Sequence, residues 1–235
     1  MVTAILPKCC RSRRRAFDNP PTGYRHLHSS RSPAPVTGLV LAGGRSRRMA
    51  GADKTFIRLN GTPLIEHVID RAAPQVTRLL LSINGDAAPY RRYGLPLLAD
   101  ALPGFGGPLA GILSALRWLR QHQPDSNWLA SFAVDTPFIP ADTVARLQAA
   151  TERDHTLIAC PRSGGRQHPV CGLWSPALLP ELEDFLLVQK QHKVGRFLQQ
   201  CAVSRVDFEA AGIDPFFNIN TPQDLETATA YTETQ

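Results

Sequence analysis

The sequence predicts a layered α/β domain built on a mostly parallel sheet, and three observations carry that prediction. From Val36 onward, short apolar runs alternate with stretches of helical period, the pattern of strands covered by helices. The runs "VTGLVLAG", "RLLLSIN" and "WLASFAVD" lack polar alternation, which suits strands buried on both faces. Two runs, "LPLLAD" and "WLASFAVD", end in Asp100 and Asp135, placing carboxylates at the strand ends where open α/β sheets bind ligands.

Taken in order, "VTGLVLAG" is the first strand. "TPLIEHVIDRAA" is a helix in which Thr62 caps, Pro63 takes the first helical position, and Leu64, Ile65, Val68, Ile69 and Ala72 share one face. The strands "RLLLSIN" and "LPLLAD" follow. "GPLAGILSALRWLRQH" is a helix with Leu109, Ile112, Leu113, Leu116 and Leu119 on its apolar face. After "WLASFAVD" comes a helix over "PADTVARLQAATE". The later part is less regular: "HTLIACP" and "HPVCGLW" read as strands flanking a Gly-Gly turn, "SPALLPELEDFLL" as a helix and "VSRVDF" as a final strand. In "FFNINTPQDLETATA", Thr221 and Pro222 start the last helix.

Length and composition fit one core: 235 residues, 43% hydrophobic and 20% charged. No apolar stretch approaches the roughly 20 residues of a bilayer span. The net charge of +6 lies in the first 36 residues, which hold seven Lys or Arg against Asp18; the rest is balanced. Residues 1–35, rich in Pro, Ser and His, are expected to form a disordered basic extension, with one domain over 36–235. Nucleic-acid binding would rest on that extension alone, and neither nucleic acid nor membrane is expected as a partner. The five cysteines include no C-x-x-C pair, and Cys160 and Cys171 lie in apolar runs as buried thiols, which suits a reducing cytoplasm.

Chemistry concentrates in "LVLAGGRSRRMAGADKT", Leu39 to Thr55. After a strand, Gly43 and Gly44 would let backbone amides approach an anion, and Arg45, Arg47, Arg48 and Lys54 would add charge for several phosphates. The spacing matches neither the dinucleotide fingerprint nor the P-loop, since Gly51 and Lys54 are separated by two residues. A solvated basic turn is the plainer alternative. Asp100 and Asp135, as neighbouring carboxylates facing a polyphosphate, would suit Mg²⁺, although each alone could be a turn residue.

"LVLAGGRSRRMAGADK" resembles the signature of nucleotidyltransferases built on a Rossmann-like sheet, L-A-G-G-x-x-x-R-M-G-x-D-K. It is similar above all to the molybdenum cofactor guanylyltransferases. "LNGTPLIEHV", "DALPGFGGPLAGI", "AVDTPFIP" and "FFNINTPQDL" follow in the family's order. The resemblance implies a single three-layer αβα domain that joins GMP from GTP to the phosphate of molybdopterin, or its molybdenum form, and releases pyrophosphate. It further implies that Leu41, Ala42, Gly43 and Gly44 wrap the nucleotide. Arg48 and Lys54 would neutralise the triphosphate, Asp135 would hold Mg²⁺ and act with them in catalysis, and Asp100 would lie at the nucleotide or metal edge. Ser82 and Asn84 would face guanine or ribose, and Asn218 and Asn220 would bind the acceptor, with Arg166 and His168 as neighbours.

The asparagines could instead cap the last helix, and Arg166 and His168 could form a solvated hairpin tip. By the same resemblance, proteins of molybdenum insertion or molybdoenzyme maturation are expected partners. Two other functions stay open. One is cytidylyl transfer to molybdopterin or to a sugar or isoprenoid phosphate, whose enzymes tend toward L-A-A-G and P-K in place of "LAGG" and "DK". The other is non-catalytic nucleotide binding.

Overall fold

The computed structural model describes residues 34–43, 54–100, 107–123 and 128–234. The expected basic extension falls almost wholly outside these residues, as do Gly44, Arg45, Arg47 and Arg48.

Strand β1 (Val36–Leu41) opens the domain. A hairpin of β2 (Arg58–Leu59) and β3 (Thr62–Pro63) comes next. Its turn residues Asn60 and Gly61 both have positive φ, 49° and 79°, the two-residue geometry that an Asn-Gly pair favours. This corrects the reading of Thr62 as a helix cap: Thr62 pairs with Leu59, and Pro63 occupies the cap position of α1 (Leu64–Ala72) without a side-chain cap bond. Helix α1 buries Leu64, Ile65, Val68 and Ala72, as its period predicts.

The chain continues through β4 (Arg78–Ile83), β5 (Leu97–Ala99), α2 (Pro108–His122), β6 (Trp128–Ala133) and α3 (Thr143–Asp154). Then come β7 (Ile158–Ser163), β8 (Arg166–Gln167), β9 (Leu173–Trp174), α4 (Leu179–Glu183), α5 (Val194–Gln199), β10 (Val203–Asp207) and α6 (Pro222–Glu233). Two expectations change. The strand over "HPVCGLW" shortens to β9, because Pro169 has no N–H to pair and the Cys171 amide turns back to the His168 carbonyl. The helix over "SPALLPELEDFLL" divides into a 3₁₀ turn (Pro176–Leu178), α4 and a π turn (Asp184–Val188). Pro176 and Pro180 each sit near the start of a piece, where a missing N–H is tolerated.

The main sheet has eight strands in the order β10-β7-β9-β6-β1-β4-β5, with β8 paired to β7. Pairs β6/β1, β1/β4, β4/β5 and β7/β10 are parallel. Only the β9 and β8 pairings are antiparallel. The predicted αβα layering is therefore present.

Alternation along the strands builds a core on each face. Val36, Val40, Leu79, Leu81 and Phe132 pack with Ile65, Val68, Val144 and Leu147 from α1 and α3. Leu39, Leu80 and Leu129 face Leu109, Ile112, Leu113 and Leu116 of α2, with Leu182 and Phe197 beyond. A smaller cluster, Leu59, Leu64, Ile219 and Ala228, ties the hairpin to the start of α6. Cys160 and Cys171 are buried as expected. Among the described residues no helix is long and apolar enough to cross a membrane.

Candidate functional site

The carboxyl ends of the parallel strands gather most of the expected residues at one edge of the sheet. Leu41 ends β1, and the Ala42 amide bonds the Ser82 carbonyl at 2.9 Å, holding β1 and β4 together at their tips. The Thr55 hydroxyl donates to the Ala42 carbonyl at 3.2 Å, so the segment that carries Lys54 returns beneath the start of the glycine loop. A Cβ on Gly43 would meet Asn84 Nδ2 at 2.6 Å and its backbone N at 3.1 Å. The tightest contacts are with the exposed Asn84 side chain, so a larger residue here would displace that side chain and press on the Asn84 backbone.

Lys54 is the centre of the site. Its ammonium is nearly enclosed, with 8% side-chain exposure, and lies 3.0 Å from Asp135 Oδ2. It also donates to Asn220 Oδ1 at 2.6 Å. The other Asp135 oxygen accepts from Asn218 Nδ2 at 3.0 Å, and the Asp135 carbonyl accepts from the Ile219 amide at 2.9 Å. Residues 54, 135, 218 and 220 thus form one hydrogen-bonded cluster, drawn from the loop after β1, the end of β6 and the segment before α6. An ammonium has three donors, and among the described residues Lys54 uses two of them, on Asp135 and Asn220.

The asparagines are not the caps of α6. That role belongs to Thr221, whose hydroxyl accepts from the Asp224 amide at 3.2 Å while Asp224 Oδ2 accepts from the Asn220 and Thr221 amides, 2.8 Å each. Burial would raise the Asp224 carboxyl, but these amides and the Thr221 hydroxyl hold it below the usual carboxylate value.

Asp100 lies elsewhere. It follows β5, whereas Asp135 follows β6, and β1 and β4 run between them. Three strand spacings separate the two strand ends by roughly 14 Å. The expectation of neighbouring carboxylates is therefore corrected: the strands that carry them are not adjacent. Asp100 instead groups with Ser82 and Asn84. Burial raises its pKa, and hydrogen bonds from Asn84 and Ser82 oppose that shift. Ser82 is buried at 2% exposure under α2, where a Cβ on Gly111 would come within 2.9 Å of its hydroxyl. It orients Asp100 from below, while Asn84 stays exposed.

Beside the Lys54 cluster opens a cavity of about 440 Å³ lined by Thr136, Arg166, His168, Asp214, Asn218 and Asn220 among others. The neighbours expected for the asparagines are therefore brought to them. Gly164 and Gly165, with φ of 52° and 78°, turn β7 into β8 and place Arg166 at an exposed tip that also lines the cavity. His168 is half-buried on the cavity wall. Sequence reasoning missed Ser163 and Asp214, which hold His168. The available signal was Asp214 in "DPFFNIN", a turn-forming residue four positions before Asn218.

A mostly parallel sheet with an enclosed lysine and a carboxylate together at its carboxyl edge defines an α/β domain with a polar site where such sheets bind ligands. Comparison with known proteins makes this specific. Residues 38–206 match the family described as MobA-like NTP transferase domain. A molybdenum cofactor guanylyltransferase of Bradyrhizobium sp. (strain ORS 278) is 45% identical over 85% of this chain and 94% of its own length. One of Rhodopseudomonas palustris (strain BisB5) is 44% identical over 81% and 90%. Among solved structures, molybdopterin-guanine dinucleotide biosynthesis protein A of Archaeoglobus fulgidus superposes with TM-score 0.66 at 25% identity, covering 85% of this chain and all (100%) of that one. The 2-C-methyl-D-erythritol 4-phosphate cytidylyltransferase of Thermus thermophilus shares the fold at TM-score 0.59 and 21% identity, over 83% and 98%. The chain belongs to the MobA-like NTP transferase family.

Proposed function

We propose that this nucleotidyltransferase transfers GMP from GTP to the phosphate of molybdopterin, with or without molybdenum, and releases pyrophosphate. The observation that carries the reading is the Lys54–Asp135–Asn218–Asn220 cluster, which links the carboxyl edge of the sheet to the 440 Å³ cavity through the two asparagines that line it. A transferase needs two adjoining sites, one for the donor and one for the acceptor, with the reacting atoms between them. Guanine is favoured by the relatives named guanylyltransferases.

In this scheme Gly43 presents its amide to the triphosphate, while the Ala42 amide stays bonded to the Ser82 carbonyl and holds the strand tips in place. Asn84 and Asp100 flank the nucleoside, and Asn218 and Asn220 meet the acceptor; Ser82, buried beneath Asp100, supports the carboxylate instead of facing guanine or ribose as expected. An oxygen of the acceptor phosphate attacks the α-phosphorus in line; the bond from that phosphorus to the bridging oxygen breaks, and pyrophosphate leaves with the electron pair. The Lys54 ammonium, together with Arg48, stabilises the charge that develops on the leaving group. No general base is required, because a phosphate monoester with a second pKa of about 6 is largely ionised at neutral pH.

Asp135 offers a hard carboxylate oxygen at this point, which suits Mg²⁺, an ion that takes one or two carboxylates and completes its shell with water and phosphate oxygens. When bound, Mg²⁺ would supply Lewis-acid stabilisation of phosphate charge. The test is pyrophosphate release from purified protein with Mg²⁺, molybdopterin and each nucleoside triphosphate in turn. GTP is expected to be the best donor, and preference for CTP would replace the guanylyl reading with the cytidylyl one.

A further inference from the structure

The wall of the cavity remote from Lys54 carries a polar arrangement that the transfer step does not use. Ser163, 3% exposed at the end of β7, donates its hydroxyl proton to Asp214 Oδ1 at 2.6 Å. A carboxylate only accepts, so the Ser163 oxygen is left to accept from His168 Nε2 at 2.7 Å. The neutral imidazole therefore carries its proton on Nε2 and its lone pair on Nδ1.

The ring lies against Phe216 at 5.0 Å between centroids and 23° between planes. Phe216 is itself buried, and its amide bonds the same Asp214 oxygen at 2.8 Å. The His168 amide bonds the Pro161 carbonyl at 2.9 Å. Backbone, ring face and tautomer are thus all fixed on a residue that lines the cavity. A fixed imidazole at a cavity wall sorts ligands by their donors, because a mismatched partner leaves a desolvated polar group unpaired.

We propose that His168 is a specificity-determining residue of the acceptor site, its Nδ1 accepting a hydrogen bond from a ring N–H of a heteroaromatic acceptor seated in the cavity. The proposal rests on the acceptor reading given above. It carries a pH signature. Burial and the Arg166 charge lower the His168 pKa, while Asp214 and the Ser163 backbone oppose them, so the ring is neutral at pH 7 and protonates only below the ordinary histidine range. Protonation turns Nδ1 from acceptor into donor and removes the match. Asp224 and the exposed Arg166 are the other charged groups lining the cavity.

Steady-state kinetics of the full chain with GTP and molybdopterin test this. His168→Ala is expected to raise the acceptor KM about tenfold, while the KM for GTP and kcat at saturating acceptor stay within about twofold. His168→Asn, which returns a carbonyl oxygen near the position of Nδ1, is expected to recover most of the loss. In the wild type the acceptor KM should rise on acidification more steeply than in His168→Asn, since protonation of the acceptor phosphate is common to both. An acceptor KM unchanged in His168→Ala, equal rises in both KM values, or no advantage of His168→Asn over His168→Ala each overturns the proposal while the transferase reading stands. Wild-type protein that turns over no molybdopterin with any nucleotide would overturn the acceptor reading and this proposal with it.

Discussion

Asp135 satisfies two partners at once, so its substitution reaches beyond any metal it holds. Removing the carboxylate leaves the Lys54 ammonium enclosed without its counter-charge, and breaking such a pair by deleting one partner costs about 3–5 kcal/mol when fully buried. Asp135 is 19% exposed, so the lower end of that range applies. We therefore expect Asp135→Ala to lower the midpoint of thermal unfolding as well as abolish turnover. Asp135→Asn, which keeps one acceptor for Lys54, should lose turnover with a smaller loss of stability. Calorimetry alongside pyrophosphate release separates the two effects, and full activity in Asp135→Asn would remove the carboxylate from the reaction.

Gly43 gives a second prediction at this scale. Gly43→Ala puts a methyl 2.6 Å from the exposed Asn84 side chain, which must turn aside, and 3.1 Å from the Asn84 backbone nitrogen, which must shift slightly, so the cost falls at the low end of the about 1–3 kcal/mol of overpacking. The strain falls on the strand tips, so nucleotide affinity by isothermal titration should fall more than tenfold. Unchanged affinity would place the nucleotide elsewhere. Gly43 and Asp135 could be placed from the sequence because each comes within two residues of the end of a buried strand, whereas Lys54 was singled out by its charge and by the motif resemblance. The Lys54–Asn220 bond, spanning 166 residues, was not, since no local pattern records which distant loops meet.

At the scale of elements, the signals that could be read were those made by adjacent residues. Thr221 and Pro222 were readable as the start of α6, and the structure adds Asp224, which closes a capping box whose partners all lie within four positions. Thr221→Ala should cost about 1 kcal/mol and free the segment that positions Asn218 and Asn220, so the acceptor KM should rise with the loss of stability. An unchanged acceptor KM would detach the asparagines from the acceptor. Thr62 misled because its Thr-Pro pair suits a helix start, while the Asn60-Gly61 turn just before it, with its two positive φ angles, commits Thr62 to a strand. The helix from Pro176 misled in the opposite way: the apolar period continues through Leu182, Phe185 and Leu186, but period alone cannot register a change from 3₁₀ to α to π winding.

For the whole molecule, alternation of apolar runs and helical stretches was enough to predict a layered, mostly parallel sheet, because burial on both faces of a strand leaves a direct trace in composition. Strand order left no such trace. The two-residue strand β9 runs antiparallel between β6 and β7, and β1 and β4 separate the ends of β5 and β6. These facts distribute the chemistry: Asp100 goes to the side of Ser82 and Asn84, and Asp135 to the side of the cavity. Asn218 and Asn220, which bond Asp135 and Lys54, line that cavity, and in the proposed function the division becomes a nucleotide side and an acceptor side.

The most direct measurement of that account is the rate of pyrophosphate release by the purified chain with Mg²⁺ and molybdopterin, compared across GTP, ATP, CTP and UTP. The account predicts release with GTP that depends on the acceptor and exceeds the other three by at least tenfold. Equal or faster release with CTP, or release from GTP that proceeds unchanged without molybdopterin, would contradict it.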